Sequence, residues 1–433
     1  MLTRRAALAG LALPLVKAQT KGPNILLLHT DDQTWNTIRA WGNREIQTPN
    51  LDKLAARGLS FRNCYNQGGH VPAVCIASRA MLMSGKSLFR ATATNGLYTP
   101  LLPEYFRDHG YDTFFTGKWH LGAPLLQRAF QNGGLVHLGG MGPQINPALS
   151  QFPATEKSTI EGRATNLFAN SCQDFLKSRK NQEKPFFAYC AFTAPHDPRE
   201  AAHLAQQYYG NRDLTLPRPW FEKPTRDNGE LTIRDEMVVP APRTQVQTEK
   251  ELRDYYALIT EVDANIGKLF NTLEQQSQLK DTVVIFCADN GLAMGAHGLM
   301  GKQNMYEHSL KVPLIVAGPG VSPGSEWKPI FLYEIYHRLA KLSGLRAPGY
   351  TEVTGPLYFA YRDFQRSLRL GDRKISWAKH KSGTTIEEYD LAKDAFEENN
   401  LHGTPQASPQ ETIKATLTTV RALYADPHPD FLA

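Results

Sequence analysis

The feature that most constrains this chain is a recurrence. Compact apolar runs at Asn24–Thr30, Tyr111–Thr116, Pro185–Phe192 and Thr282–Ala288 read as strands, and each ends in residues that carry chemistry. After the first comes Asp31-Asp32. After the second comes Gly117-Lys118-Trp119-His120-Leu121-Gly122. Pro195-His196-Asp197-Pro198 follows the third, and Asp289-Asn290-Gly291 the fourth. Runs without polar alternation need apolar cover on both faces. Helical patterns lie between them at Thr48–Gly58, Glu161–Lys180 and Thr248–Gln278, with Thr48 and Thr248 as expected caps. Val312–Ala317 reads as a further short strand. Strands alternating with helices imply an α/β fold with a doubly wound, mainly parallel sheet. In such a sheet the strand C-termini share one edge, where ligands bind. Four clusters far apart in sequence should therefore meet at one site.

The clusters divide by chemistry. Asp31, Asp32, Asp289 and Asn290 are hard oxygen donors. Three carboxylates placed together raise one another's pKa unless a cation neutralises them, and an all-oxygen set selects Ca²⁺ or Mg²⁺ over zinc. Arg79, Lys118, His120, His196 and Lys302 form a cationic and imidazole set suited to an oxyanion. Taken singly, Asp-Asp is most often a helix cap and Asp-Asn-Gly a turn. Their joint placement at strand ends is what points to a site. Cys75 opens a helical segment, where the helix dipole favours an anion and a thiolate would be a nucleophile. Cys64, Cys172, Cys190 and Cys287 lie in patterns typical of core.

The ends of the chain read differently from its middle. Arg4 and Arg5, the apolar run Ala6–Val16 and Val16-Lys17-Ala18 make residues 1–18 an export signal too short to span a bilayer, with Thr3-Arg4-Arg5 similar to a twin-arginine start. The expected location is periplasmic or secreted, without stable membrane insertion. From residue 346, strand candidates at Leu357–Tyr361, Ser367–Leu370 and Lys374–Ala378, a turn at Gly371-Asp372 and a helix at Pro409–Ala425 predict a small antiparallel subdomain. Residues 19–345 are then the catalytic domain and 346–433 the appendage. The Gly- and Pro-rich stretches 121–158 and 197–247 read as binding loops. A net charge of +6 with no localised basic patch excludes nucleic acid as a partner.

The segment Cys75-Ile76-Ala77-Ser78-Arg79 with Ser84-Gly85-Lys86 resembles the signature of type I, formylglycine-dependent sulfatases of the alkaline phosphatase superfamily. Asp31-Asp32, Gly-Lys-Trp-His-Leu-Gly, Pro-His-Asp, Asp-Asn-Gly, His297-Gly298-Leu299-Met300-Gly301-Lys302 and the tail Tyr389-Asp390-Leu391 with Glu397, Asn400 and Leu401 follow in the family's order. The resemblance spans residues 22–402. It implies that Cys75 is oxidised by a maturase to formylglycine, whose hydrate attacks sulfur with one hydroxyl and expels sulfate with the other. It implies that Asp31, Asp32, Asp289, Asn290 and modified Cys75 bind Ca²⁺, with Mg²⁺ as the alternative. Arg79 and Lys118 would hold the nucleophile, His120 would take the proton that triggers sulfate release, and His196 and Lys302 would bind sulfate and assist the leaving alcohol.

Two positions depart from the usual signature: Ala77 stands for Pro and Lys86 for Arg. The Ala form resembles substrates of radical-type, oxygen-independent maturases. Export and polar candidate contacts (Gly69, His70, His297, His308, Asn228-Gly229-Glu230 and Arg234-Asp235-Glu236) favour a sulfated carbohydrate as substrate. Rival readings are a phosphodiesterase or phosphonate monoester hydrolase of the same superfamily, and a non-catalytic sulfated-glycan binding protein. The sequence leaves the oligomeric state open.

Overall fold

The computed structural model describes residues 22–92, 97, 99–210, 212–346 and 355–428; the expected export signal at 1–18 lies outside them. A ten-stranded sheet forms the centre. Its strands in chain order are β1 Asn24–Thr30, β2 Leu59–Phe61, β3 Asp112–Lys118, β4 Asn132–His137, β5 Ala148–Gln151, β6 Lys157–Thr159, β7 Phe186–Ala191, β8 Thr282–Ala288, β9 Leu314–Ala317 and β10 Gly324–Glu326. Their spatial order is β10-β2-β9-β8-β1-β7-β3-β4-β5-β6. The middle five, β8-β1-β7-β3-β4, are mutually parallel. Antiparallel pairing begins on either side, at β8–β9 and β4–β5.

Alternation along the parallel strands explains the layers. Leu26, Leu28, Ala188, Cys190, Val284 and Phe286 pack on one face with the helices α1 Pro49–Arg57, α3 Ala164–Ser178 and α4 Gln245–Gln275. Ile25, Leu27, Phe187, Tyr189, Val283 and Ile285 point the other way, against α2 Val74–Ser84 and the helix Leu102–Asp108. Both faces are apolar because both are covered. No helix among the described residues is long and apolar enough to cross a membrane.

A second sheet is built by β11 Leu357–Tyr361, β12 Gln365–Leu370, β13 Arg373–His380 and β14 Gly383–Asp390, all antiparallel neighbours. Gly68–Gly69 extends it by pairing in parallel with Ala360–Tyr361. Backbone from just before the Cys75 helix thus runs into the C-terminal sheet. The terminal helix α5, Gln410–Tyr424, buries Ile413, Leu417, Val420 and Tyr424 in the core shared with that sheet.

Several local expectations change. Val312–Ala317 splits at Pro313: Lys311–Val312 joins a small sheet with Cys64–Tyr65, and Leu314–Ala317 becomes β9, antiparallel to β8. The cap of α4 is Thr244, in a capping box with Gln247: Gln247 N donates to its hydroxyl (3.2 Å) and Thr244 N to the Gln247 side chain (2.9 Å). Thr248 sits one turn inside, donating to the Thr244 carbonyl. Thr48 does not cap α1 with its side chain; its hydroxyl accepts from Arg39 N and donates to Asp52. Residues 121–158, expected to be loop, contribute β4, β5 and β6, whose Gly133-Gly134 and short lengths erase the periodicity.

Candidate active site

The parallel edge assembles the site. β1 delivers Asp31 and Asp32, β3 delivers Lys118 and then His120, the turn after β7 delivers His196, and β8 delivers Asp289 and Asn290. Gly117 makes the exit of β3 workable. Its φ is +108°, and a Cβ there would lie 1.8 Å from the Ala191 carbonyl oxygen, so only glycine lets β3 pass β7 and turn Lys118 inward. Cys75 is in the first turn of α2, which ends at Gly85 with φ +65°.

Cys75 is buried at the centre. Its Sγ lies 3.4 Å from Asp31 Oδ1, 3.8 Å from Asp32 Oδ1, 3.4 Å from Asn290 Nδ2 and 3.2 Å from Lys302 Nζ. Lys118 Nζ donates to Asp31 Oδ2, with both side chains fully buried. Lys302 Nζ reaches both Asp32 oxygens, one at 2.6 Å. The Arg79 guanidinium meets Asp289 Oδ2 at 3.1 Å and Asp31 Oδ1 at 3.6 Å, and donates to the Lys118 carbonyl at 2.7 Å. Asp289 Oδ1 accepts from the backbone N–H of Asp32 and of Asn290. Three buried carboxylates therefore face three buried cations. The sequence reading expected the carboxylates to repel one another unless metal was present; the structure shows each already paired, so repulsion alone does not demand the ion.

These pairings set the protonation states. Burial works against Asp31 ionising, but Lys118, Arg79 and Lys302 hold its carboxyl below the usual range. Burial pushes Asp32 up, to about 8, with Lys302 opposing. Burial, Asp289 and Asp31 push the Cys75 thiol well up. Burial first, and then the carboxylates, thus work against the thiolate that the helix dipole would favour. His120 falls to about 3 through burial, Lys118 and Arg79. His196 is lowered by burial, Lys302 and Lys118.

The structure brings together all ten residues expected in the site. His196 Nε2 lies 3.5 Å from Asp32 Oδ2, and His120 adopts φ +64° against the backbone of Gly140. Asp31, Asp32, Cys75 and Asp289 each offer a ligand atom, all within 4.8 Å of one another, a fit for one cation. A hard divalent ion suits this set because the carboxylate oxygens outnumber the single sulfur.

The expected substrate contacts scatter. His297 stacks on Tyr306 with centroids 3.8 Å apart, and His308 Nδ1 pairs with Ser309 Oγ. Glu230 accepts from Tyr361 and Arg362, tying its loop to the C-terminal sheet. Glu236 is buried and accepts from the N–H groups of Met300 and Gly301. Gly69 is crowded by Val74, while His70 is exposed. Arg234 and Asp235 do reach the residues flanking the site. Sequence reasoning missed Ser78, whose hydroxyl donates to the Asp289 carbonyl, and Tyr255, whose hydroxyl donates to the Asp32 carbonyl. It also missed Gln144, which donates to the His196 carbonyl from the loop after β4.

With this geometry in hand, three likenesses to known proteins are informative. The N-acetylglucosamine-6-O-sulfatase of Bacteroides thetaiotaomicron is 26% identical over 504 aligned positions, covering 96% of this chain and 89% of that protein. A structure solved in complex with its substrate D-glucosamine-2-N,6-O-disulfate superposes with a TM-score of 0.79 at 23% identity, covering 95% of this chain and all of that one. The phosphonate monoester hydrolase of Agrobacterium radiobacter superposes with a TM-score of 0.67 at 20% identity, covering 93% and 96% of the two chains. The two superpositions establish the fold alone, since enzymes of different chemistry share it. The Sulfatase family profile matches residues 23–345, the span that contributes every residue of the site. This chain belongs to the sulfatase family.

Proposed function

We propose that the protein hydrolyses sulfate esters of a carbohydrate, using Cys75 after its oxidation to formylglycine and one Ca²⁺ held by Asp31, Asp32, Asp289, Asn290 and the modified Cys75. The observation that carries this reading is the convergence of charged and polar side chains on buried Cys75. Burial and the neighbouring Asp289 and Asp31 push its thiol well up, which makes it a poor nucleophile as it stands, yet Asp31, Asp32, Asn290 and Lys302 all meet its sulfur. Oxidised and hydrated, the residue supplies one hydroxyl to attack sulfur and a second whose deprotonation releases sulfate. Held there, Ca²⁺ would supply positive charge to the diol and to a sulfate oxygen. Mg²⁺ suits the same donors less well because it demands a stricter octahedron.

The remaining chemistry belongs to the chain. Arg79 and Lys118 hold Asp31 and Asp289 in place beside Cys75. His120 is neutral, with Nδ1 buried and without a hydrogen-bond partner, and takes the proton of the second hydroxyl. Lys302 Nζ, 3.2 Å from Sγ, binds the sulfate and, with His196 Nε2, serves the departing alcohol oxygen. An anionic sulfate beside His196 offsets the two lysines that lower its pKa. Binding alone would not need a buried, unpartnered imidazole nitrogen among these charges, so an enzyme is favoured over a glycan-binding protein.

A sulfated amino sugar is the first substrate to test, given the activity named for the relative from Bacteroides thetaiotaomicron. The N-terminal pattern supports a reaction in the periplasm or outside the cell, and the Ala77 form of the signature is similar to substrates of radical-type maturases. Matured protein should be screened on defined sulfated saccharides and, in parallel, on nitrophenyl sulfate, phosphate and phenylphosphonate esters. Sulfate release dominating both sets supports the reading. Preferred turnover of the phosphonate contradicts it.

A further inference from the structure

The residue after His196 is acidic in this chain, and the structure gives that acid a job. The His196 ring is anchored from behind: Nδ1 lies 2.8 Å from the Asp197 carbonyl oxygen and 3.3 Å from Asp197 Oδ1. Both are acceptors, so Nδ1 carries a hydrogen and Nε2 is the atom presented to the site. Asp197 is itself held. Its Oδ2 accepts from Arg234 NH1. The other arm of Arg234 grips Asp235 Oδ1 at 2.5 Å. Asp235 Oδ2 accepts from Gln303 Nε2 at 2.7 Å, and Gln303 accepts the Lys302 backbone N–H at 3.1 Å while donating to the Pro72 carbonyl, three residues before Cys75. One continuous chain of charged and amide contacts thus runs from His196 to Lys302 and the approach to the nucleophile helix.

We infer that Arg234 is a positioning residue, clamping Asp197 and Asp235 so that His196 Nε2 and Lys302 are held in register on the leaving-group side of Cys75. The inference rests on the proposed sulfatase reading, in which those two residues serve the departing oxygen. Two features make Arg234 the keystone rather than a surface ion pair. It ion-pairs with two carboxylates of 14% and 10% exposure at once, so removing it takes a direct partner from both Asp197 and Asp235. A guanidinium also spans both with fixed arms, which a lysine cannot do at once. At 44% exposure it is not part of the core, so the fold should tolerate its loss.

The test uses matured full-length protein and a series of aryl sulfates whose phenols range from good to poor leaving groups. For Arg234→Met we expect kcat on the poorest leaving group to fall about 10- to 100-fold, the range for losing a group that orients a site residue. On 4-nitrophenyl sulfate, which needs little help in leaving, the fall should be under about 3-fold. KM should change little, Arg234→Lys should recover part of the loss, and Asp197→Asn should show the same leaving-group trend. A uniform loss across the series means a structural role, and a raised KM with intact kcat means direct contact with substrate; either overturns the inference. His196→Ala separates the layers of the argument. If it shows the leaving-group trend and Arg234→Met does not, the clamp alone is wrong. If it shows no trend, the role given to His196 falls, and the clamp with it.

Discussion

Replacing Lys118 by Met tests the charge balance of the site. Lys118 Nζ sits on Asp31 with both side chains at 0% exposure. The other cations acting on Asp31 are Arg79, 3.6 Å away and already engaged with Asp289 at 3.1 Å, and Lys302, which is paired with Asp32. The substitution therefore leaves a buried carboxylate largely uncompensated, and breaking such a pair from one side costs about 3–5 kcal/mol. Two consequences set this apart from a packing defect. Asp31→Asn added to Lys118→Met should recover about 1–3 kcal/mol, because the orphaned charge is gone. Ca²⁺ should also stabilise the single variant more than the parent, since the carboxylates then carry one excess negative charge; at ~4 Å and an effective dielectric of 20 a unit pair is worth at most ~4 kcal/mol. Urea unfolding with and without Ca²⁺ measures all three. A cost under ~1 kcal/mol with no recovery in the double variant would refute the view that the triads of charge balance each other.

Other outcomes follow from the same geometry. His120→Ala should slow release of sulfate more than its capture, so the Cys75 peptide should retain an added ~80 Da; the same adduct in His196→Ala but not in His120→Ala would reverse the assignment. Chelation should abolish turnover yet cost only the mass-action stabilisation, about 2.7 kcal/mol for an ion at 100 times its Kd. Unchanged rate and melting, with no Ca²⁺ or Mg²⁺ by elemental analysis, would remove the metal from the account. Glu397, buried with Glu307 and opposed by Lys374, is raised from 4.5 to about 7 chiefly by burial. Its folded form keeps a proton that the unfolded chain loses, so its contribution to stability is full below pH 4.5 and is lost as pH rises through 7. Glu397→Gln should flatten that decline in a stability–pH profile, and an unchanged slope would refute the raised pKa.

The parallel strands were legible because they are uninterrupted apolar runs, and the site was legible because chemistry-bearing residues stand directly at their ends. β1 and β8 match their expected bounds residue for residue. What stayed hidden had a physical cause each time. β4 carries Gly133-Gly134 and half-buried positions, so neither composition nor alternation marks it, and the loop that supports His196 through Gln144 was hidden with it. Thr244 and Thr248 both fit a cap by type; the Gln three residues after Thr244 separates them. The raised pKa of Cys75 could not be read from its helix position, because it comes from burial and from Asp289 and Asp31, which stand at the ends of strands distant in sequence. The clamp on His196 was half visible: Asp197 stood in a strand-end cluster and Arg234 and Asp235 were expected near substrate, but their pairing is seen only in three dimensions.

The central claim is that the nucleophile is made from Cys75, and the most direct measurement is the mass of the peptide containing it, taken from a preparation of known sulfatase activity. Conversion of Cys75 to formylglycine predicts a peptide about 18 Da lighter than the thiol form, as expected for replacing CH₂SH by an aldehyde. It also predicts that activity scales with the converted fraction across preparations. A fully active preparation in which Cys75 is an intact thiol would contradict it.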